Sequence, residues 1–231
     1  MTTSSMTTSA PGKAAQAVTA PRAGAVAGIL FAVLFGVSIV LIRLSVPADS
    51  ADASAWTAST LSRASLAMRL IPFAGIFFLW FVGVMRDHLG ASEDKLFATV
   101  VLGSALVFVA LTLASAAVAW GLLDSYRIGG SDSIPGTEAL PLAVYLFVRS
   151  VTNQAFNIYA VKMASVFMLS LGTLWRRTGV MPRLLSWITY LLALGMLVAF
   201  SHSLWLLLIF PAWVLLVSVY ILITNLRPKE L

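Results

Sequence analysis

With 231 residues, of which 60% are hydrophobic and only 10% charged, the chain has too little polar surface for a water-soluble domain, where roughly a quarter of residues are charged. The net charge of +6 would suit a nucleic-acid partner only if Lys and Arg gathered on a solvated face; here they stand mostly at the ends of apolar runs, so no nucleic acid is expected. The lack of cysteine excludes disulfides, thiolate nucleophiles and cysteine-held clusters.

Met1 to Pro21 is Thr, Ser, Ala and Pro with one charge, Lys13, a composition that predicts a disordered tail, leaving residues 22–231 as a transmembrane helical bundle. The first apolar run, Ala23 to Ile42, is longer than the roughly 7 to 15 residues of a signal-peptide core and is expected to be a retained span. Gly24, Gly28, Ala32 and Gly36 recur at every fourth position and form a small-residue stripe where a neighbouring backbone can approach closely. That face predicts either packing inside the bundle or a contact with a protein partner or a second copy of the chain.

The second span is read as Leu66 to Met85, and the third lies within the uncharged stretch Leu96 to Leu123. Pro141 to Trp175 would rise about 51 Å as one helix, against a hydrocarbon core of roughly 30 Å. A break is therefore expected in the polar cluster Ser150-Val151-Thr152-Asn153-Gln154, with an interfacial piece from Pro141 to Arg149 and a crossing from Thr152 to Trp175. Next, Gly179 is placed to cap one helix and Pro182 to open another. Leu184 to Leu226 is long enough for two crossings, folded at Ser201-His202-Ser203. Pro211 in the last of them removes a donor and frees the carbonyl of Leu207. The fold class is an all-α polytopic membrane bundle of about six transmembrane helices.

Lys and Arg alternate between the loops. One side holds Lys13, Arg22, Arg86, Lys95, Arg176, Arg177, Arg183, Arg227 and Lys229; leaving aside Arg69 and Arg149, taken up below, the other has only Arg43, Arg63 and Arg127 among several acids. The positive-inside rule then predicts a multi-pass protein of the cell membrane, of bacterial inner-membrane type, with both termini cytoplasmic. Trp80, Trp120, Trp175, Trp187 and Trp205 fall near span ends, where indole rings favour the interface.

Charges inside a bilayer are functional candidates, and these are Arg69, Arg149 and Lys162. Arg69, within about a turn of its helix end, is expected to snorkel. Arg149, Asn153 and Asn157 are spaced by four and form one polar stripe on a continuous helix. Lys162 would lie near the midplane if the crossing starts at Thr152, meeting backbone carbonyls, the phenol of Tyr159 or Tyr190, or water. If the helix starts at Pro141, it reaches the inner headgroups and snorkels. The candidate polar site is therefore Arg149, Asn153, Asn157 and Lys162. No cofactor is expected: His88 and His202 fall on opposite sides of the membrane, and no intramembrane acid, base or metal set can be assembled.

The turn Arg177-Thr178-Gly179-Val180-Met181-Pro182-Arg183, together with Arg22-Ala23-Gly24 at the start of the first span, resembles an uncharacterised bacterial family of multi-spanning membrane proteins known as domain of unknown function 4386. The resemblance covers most of Arg22 to Arg227, implies the same helical bundle, and assigns no catalytic residue. The expected function is a non-enzymatic accessory, scaffold or lipid-binding membrane protein. The alternative is a small transporter or channel for an anionic or amphipathic solute, and an intramembrane enzyme ranks third.

Overall fold

A computed structural model describes residues 12–45, 57–89, 95–129, 142–199 and 204–226. The helices are α1 (Gly12–Ser45), α2 (Ala58–Leu89), α3 (Lys95–Gly129), α4 (Leu142–Gln154), α5 (Val161–Thr178), α6 (Arg183–Val198) and α7 (Leu204–Leu226), with a π-helical turn, Ala155–Ala160, joining α4 to α5. Arg22–Ser45, Ala58–Arg86, Leu96–Ser125, Ala143–Thr178 and Leu206–Thr224 are each long and apolar enough to cross a membrane. The 16 residues of α6 rise only about 24 Å. The chain is a multi-pass, all-α bundle with one short member.

Two expectations change. The helix of α1 begins at Gly12, so 12–21 is helical where a disordered tail was expected. Ala14, Ala15, Ala17 and Ala20 are the best helix formers, and they extend the span beyond its apolar part. The rest of that tail lies outside the described residues, as does the fold at 201–203. The break expected at Ser150–Gln154 is also absent. Gln154 and Val161, on either side of the π turn, both have right-handed helical dihedrals, so α4, the turn and α5 form one rod. The π turn keeps the helix continuous there, without exposing backbone groups that a bilayer cannot satisfy.

The centre of packing is α1, which lies against α2 and α7. A Cβ on Gly24 would stand 2.5 Å from Val84 Cγ1, and one on Gly28 would press on Ser218 and on Phe81 Cδ2. Ala32 is buried as well. The small-residue stripe is thus filled by α2 and α7 of the same chain, up to Gly36, which has nothing within 4 Å. Below it runs an aromatic core: Phe31 lies 4.8 Å from Phe78 and 5.9 Å from Phe210 between ring centroids, and Phe210 lies 4.9 Å from Phe108. Lipid tails are as apolar as these side chains, so close packing and ring geometry, not escape from water, hold the helices together.

The turn into α6 forms as its residues predict. Gly179 sits at φ 68°, in the left-handed region, and its N–H donates to the carbonyl of Trp175 at 2.9 Å; Pro182 immediately precedes α6. Tyr190 donates to Thr173 and Trp213 to Thr189, each at 2.9 Å, tying α6 to α5 and α7. The tryptophans divide. Trp80 and Trp187 are exposed, but Trp175 is buried against Trp213, with centroids 5.9 Å apart, and is a core residue. The side chain of Trp205 lies outside those described.

Gly24 against Val84, Arg177 over Phe97 at 4.5 Å and Arg176 over Trp187 at 4.8 Å bring the arginine-rich helix ends together as a basic end. At the opposite end, the Arg69 guanidinium lies over the Trp120 ring at 5.5 Å. It is exposed, with the cation resting on an aromatic face.

Candidate functional site

At the opposite end, α1, α2, α3, the α4 rod and Leu207 of α7 enclose a cavity of about 220 Å³. One wall is apolar: Ile39 and Ile42 from α1, Ala64, Met68 and Ile71 from α2. The facing wall is polar and comes from α4 and the π turn: Tyr145, Arg149, Thr152, Asn153 and Asn157. Tyr145, Arg149, Asn153 and Asn157 are each four residues apart, so one helix face carries them all. Arg149 donates to the Tyr145 phenol at 3.1 Å, and the Asn157 amide donates to Asn153 Oδ1 at 2.9 Å. Arg43, at the end of α1, joins Arg149 in the lining, and no carboxylate is among the described residues that form it.

Many serines and threonines in these helices donate to the carbonyl one turn back, as Ser38, Ser65, Ser115, Ser165 and Thr173 do at 2.7 or 2.8 Å, the usual way a hydroxyl is satisfied inside a helix. Thr112 and Thr152 do not. Their Oγ1 atoms, with Asn157 Oδ1, are buried without a hydrogen-bond partner, and all three residues line the chamber. Ser186 and Ser218 are the other such cases among the described residues, at helix contacts elsewhere. An unpaired buried polar group costs about 1 to 3 kcal/mol, so two such hydroxyls and an amide oxygen around one cavity mark a place where a polar occupant is stabilising. Pro72 in α2 and Pro211 in α7 add to this. Each withholds the donor for the carbonyl four residues earlier, and those residues, Met68 and Leu207, also line the chamber.

Lys162 does not belong to this site. Its Nζ donates to the backbone carbonyls of Met196 at 3.2 Å, Ala199 at 2.7 Å and Leu197. The carbonyl of Gly195 accepts the Ala199 N–H at 3.0 Å. The last carbonyls of a helix have no partner within it, and hydrocarbon offers none. The three N–H groups of one lysine therefore close the short helix α6, with the positive charge on the negative end of its dipole. The rod continues past Lys162 in both directions, so of the partners considered for it, the carbonyls are the ones it meets.

These placements separate two positions in a chain that has no native cysteine. Asn157→Cys is expected to react with a small methanethiosulfonate reagent applied to the opposite end, whereas Lys162→Cys stays protected from both sides. Equal protection of both would mean that the chamber is closed to water.

The fold and this chamber define a polytopic α-helical membrane protein with an amphipathic internal site. In comparisons with known proteins, no family model matches the sequence, and no curated protein or solved structure matches it either.

Proposed function

We propose that the chain is a non-enzymatic protein of a bacterial cell membrane that binds an amphipathic anion in its chamber. The observation that carries this is the trio of unpartnered buried oxygens on Thr112, Thr152 and Asn157, set beneath Arg43 and Arg149 and opposite a wall of aliphatic side chains. Guanidinium groups recognise carboxylate or phosphate, the hydroxyls and amide take the polar atoms beside it, and the aliphatic wall takes a hydrocarbon body. We place the basic end in the cytoplasm by the positive-inside rule, with both termini there and the chamber in the outer half of the bilayer. The resemblance to the multi-spanning family named above is part of the same proposal and assigns no activity.

The test is thermal unfolding of the purified protein in dodecyl maltoside with dodecyl phosphate added. A ligand that binds only the folded state stabilises it by mass action, so the transition rises by several degrees. It does not rise when more dodecyl maltoside replaces the phosphate, nor in the Arg43→Gln/Arg149→Gln double variant. An unshifted transition in the unmodified protein sinks the proposal.

Transport is the second reading, favoured by the π turn and two helix prolines around the chamber, the kind of interrupted helices that transporters use. Movement of dodecyl phosphate between the leaflets of vesicles containing the protein separates transport from binding.

A further inference from the structure

We infer that the chamber takes its ligand sideways from the bilayer, through a slot between α1 and α4, and that this ligand is an anionic phospholipid of the leaflet at the opposite end. The inference rests on the binding reading above and adds the source of the ligand and its route.

The slot follows from how the helices are joined. α1 packs on α2 and α7, while α4 packs on α3. The rod meets α1 at the π turn, where Phe35 and Phe156 form an edge contact with centroids 5.9 Å apart. Beyond that contact, Ile39, Ile42 and Arg43 of α1 and Thr152, Arg149 and Tyr145 of α4 are walls of the same cavity. The chamber is therefore closed at the level of Phe156 and separates the two helices above it. The π turn lies at the closed end, where helices bend most readily, so α4 can tilt away from α1 without disturbing α5.

The surroundings of the slot suit a lipid better than a water-soluble anion. Val40 and Leu44 on α1, and Leu146 and Phe147 on α4, are exposed at the same height as the chamber. A solute arriving from water would meet hydrocarbon there, whereas a lipid diffusing in the leaflet meets surfaces like its own tails. Arg43 and Arg149 supply charge for a phosphate. Thr152, Asn157 and Thr112 lie deeper and face the ester and hydroxyl groups next to that phosphate. Asn157 is eight residues beyond Arg149, about 12 Å along the helix, which is the reach of a headgroup together with its glycerol. The hydrocarbon chains then leave by the slot.

The full chain, reconstituted in vesicles of equal phosphatidylglycerol and phosphatidylcholine and re-extracted in mild detergent, is examined by native mass spectrometry. Phosphatidylglycerol is expected to remain bound in preference to phosphatidylcholine, and glycerol 3-phosphate does not displace it. Its retention falls by about tenfold or more in Arg43→Gln/Arg149→Gln, with cooperative unfolding in dodecyl maltoside alone as the check that the variant is folded. Equal retention of both lipids overturns the choice of an anionic headgroup. Displacement by glycerol 3-phosphate overturns the choice of a phospholipid, because a headgroup without hydrocarbon chains then suffices to fill the site. Stabilisation by dodecyl phosphate without any retained phospholipid overturns this inference and leaves the binding reading standing; absence of both overturns the two together.

Discussion

Lys162→Met is expected to destabilise the bundle by about 2 to 4 kcal/mol, because it strands three carbonyls that have no water to turn to. Methionine keeps much of the length and all of the apolar stem, so the loss isolates the donors. The carbonyls concerned, those of Met196, Leu197 and Ala199, belong to the end of α6, which is too short to reach across the bilayer unaided. The damage should therefore concentrate there. In reversible unfolding in mixed micelles, the midpoint falls, and a thiol placed at Ala199 becomes reactive in the variant before the rest of the protein unfolds. Lys162→Arg, which keeps donors at a similar reach, recovers part of the loss. A change within about 0.5 kcal/mol, the range of an uninvolved position, would mean that Lys162 does not hold the helix end.

The second large effect is at Gly24. Gly24→Ala puts a methyl 2.5 Å from Val84 Cγ1 and 2.7 Å from Val84 Cβ. The Cβ cannot rotate away, so α1 and α2 must separate, at a cost of about 1 to 3 kcal/mol. Gly36→Ala, in the same stripe but with nothing within 4 Å, is expected to be neutral within about 0.5 kcal/mol. Gly28 is intermediate: an added Cβ meets Phe81 Cδ2 at 2.7 Å, but its other near neighbour is the Ser218 hydroxyl, which can change rotamer. Measuring the three alanine variants by the same unfolding assay gives an order, Gly24 above Gly28 above Gly36. An equal response at all three would argue against α1 packing by this face inside the chain.

Part of the candidate site could be read from spacing alone. Arg149, Asn153 and Asn157 fall on one helix face because four residues nearly complete a turn, and the same step backwards reaches Tyr145. The spacing also spoke against Lys162. It stands thirteen residues after Arg149, roughly 0.4 of a turn out of line, and so could not share a wall with the stripe on a straight rod. Arg43 was visible as a charge at a span end, with nothing in its neighbours to pair it with α4. Thr112 and Thr152 had no signal at all, since a threonine bonded to its own helix and one turned into a cavity are the same letters.

The sequence by itself determined the class, most of the spans and the turn at Gly179 and Pro182, because the bilayer imposes its length and polarity on each crossing separately and these two residues act within a few residues of themselves. Residues that look alike in the sequence were separated only by the tertiary structure. Trp175 is core and Trp187 is surface, Gly24 is pressed and Gly36 is open, and Lys162 closes a helix whose end is more than thirty residues further along the chain. The physical reason is that each distinction depends on which helix is the neighbour. Where lipid and protein interior are equally apolar, hydropathy says that a helix is in the membrane but not which of its faces meets another helix.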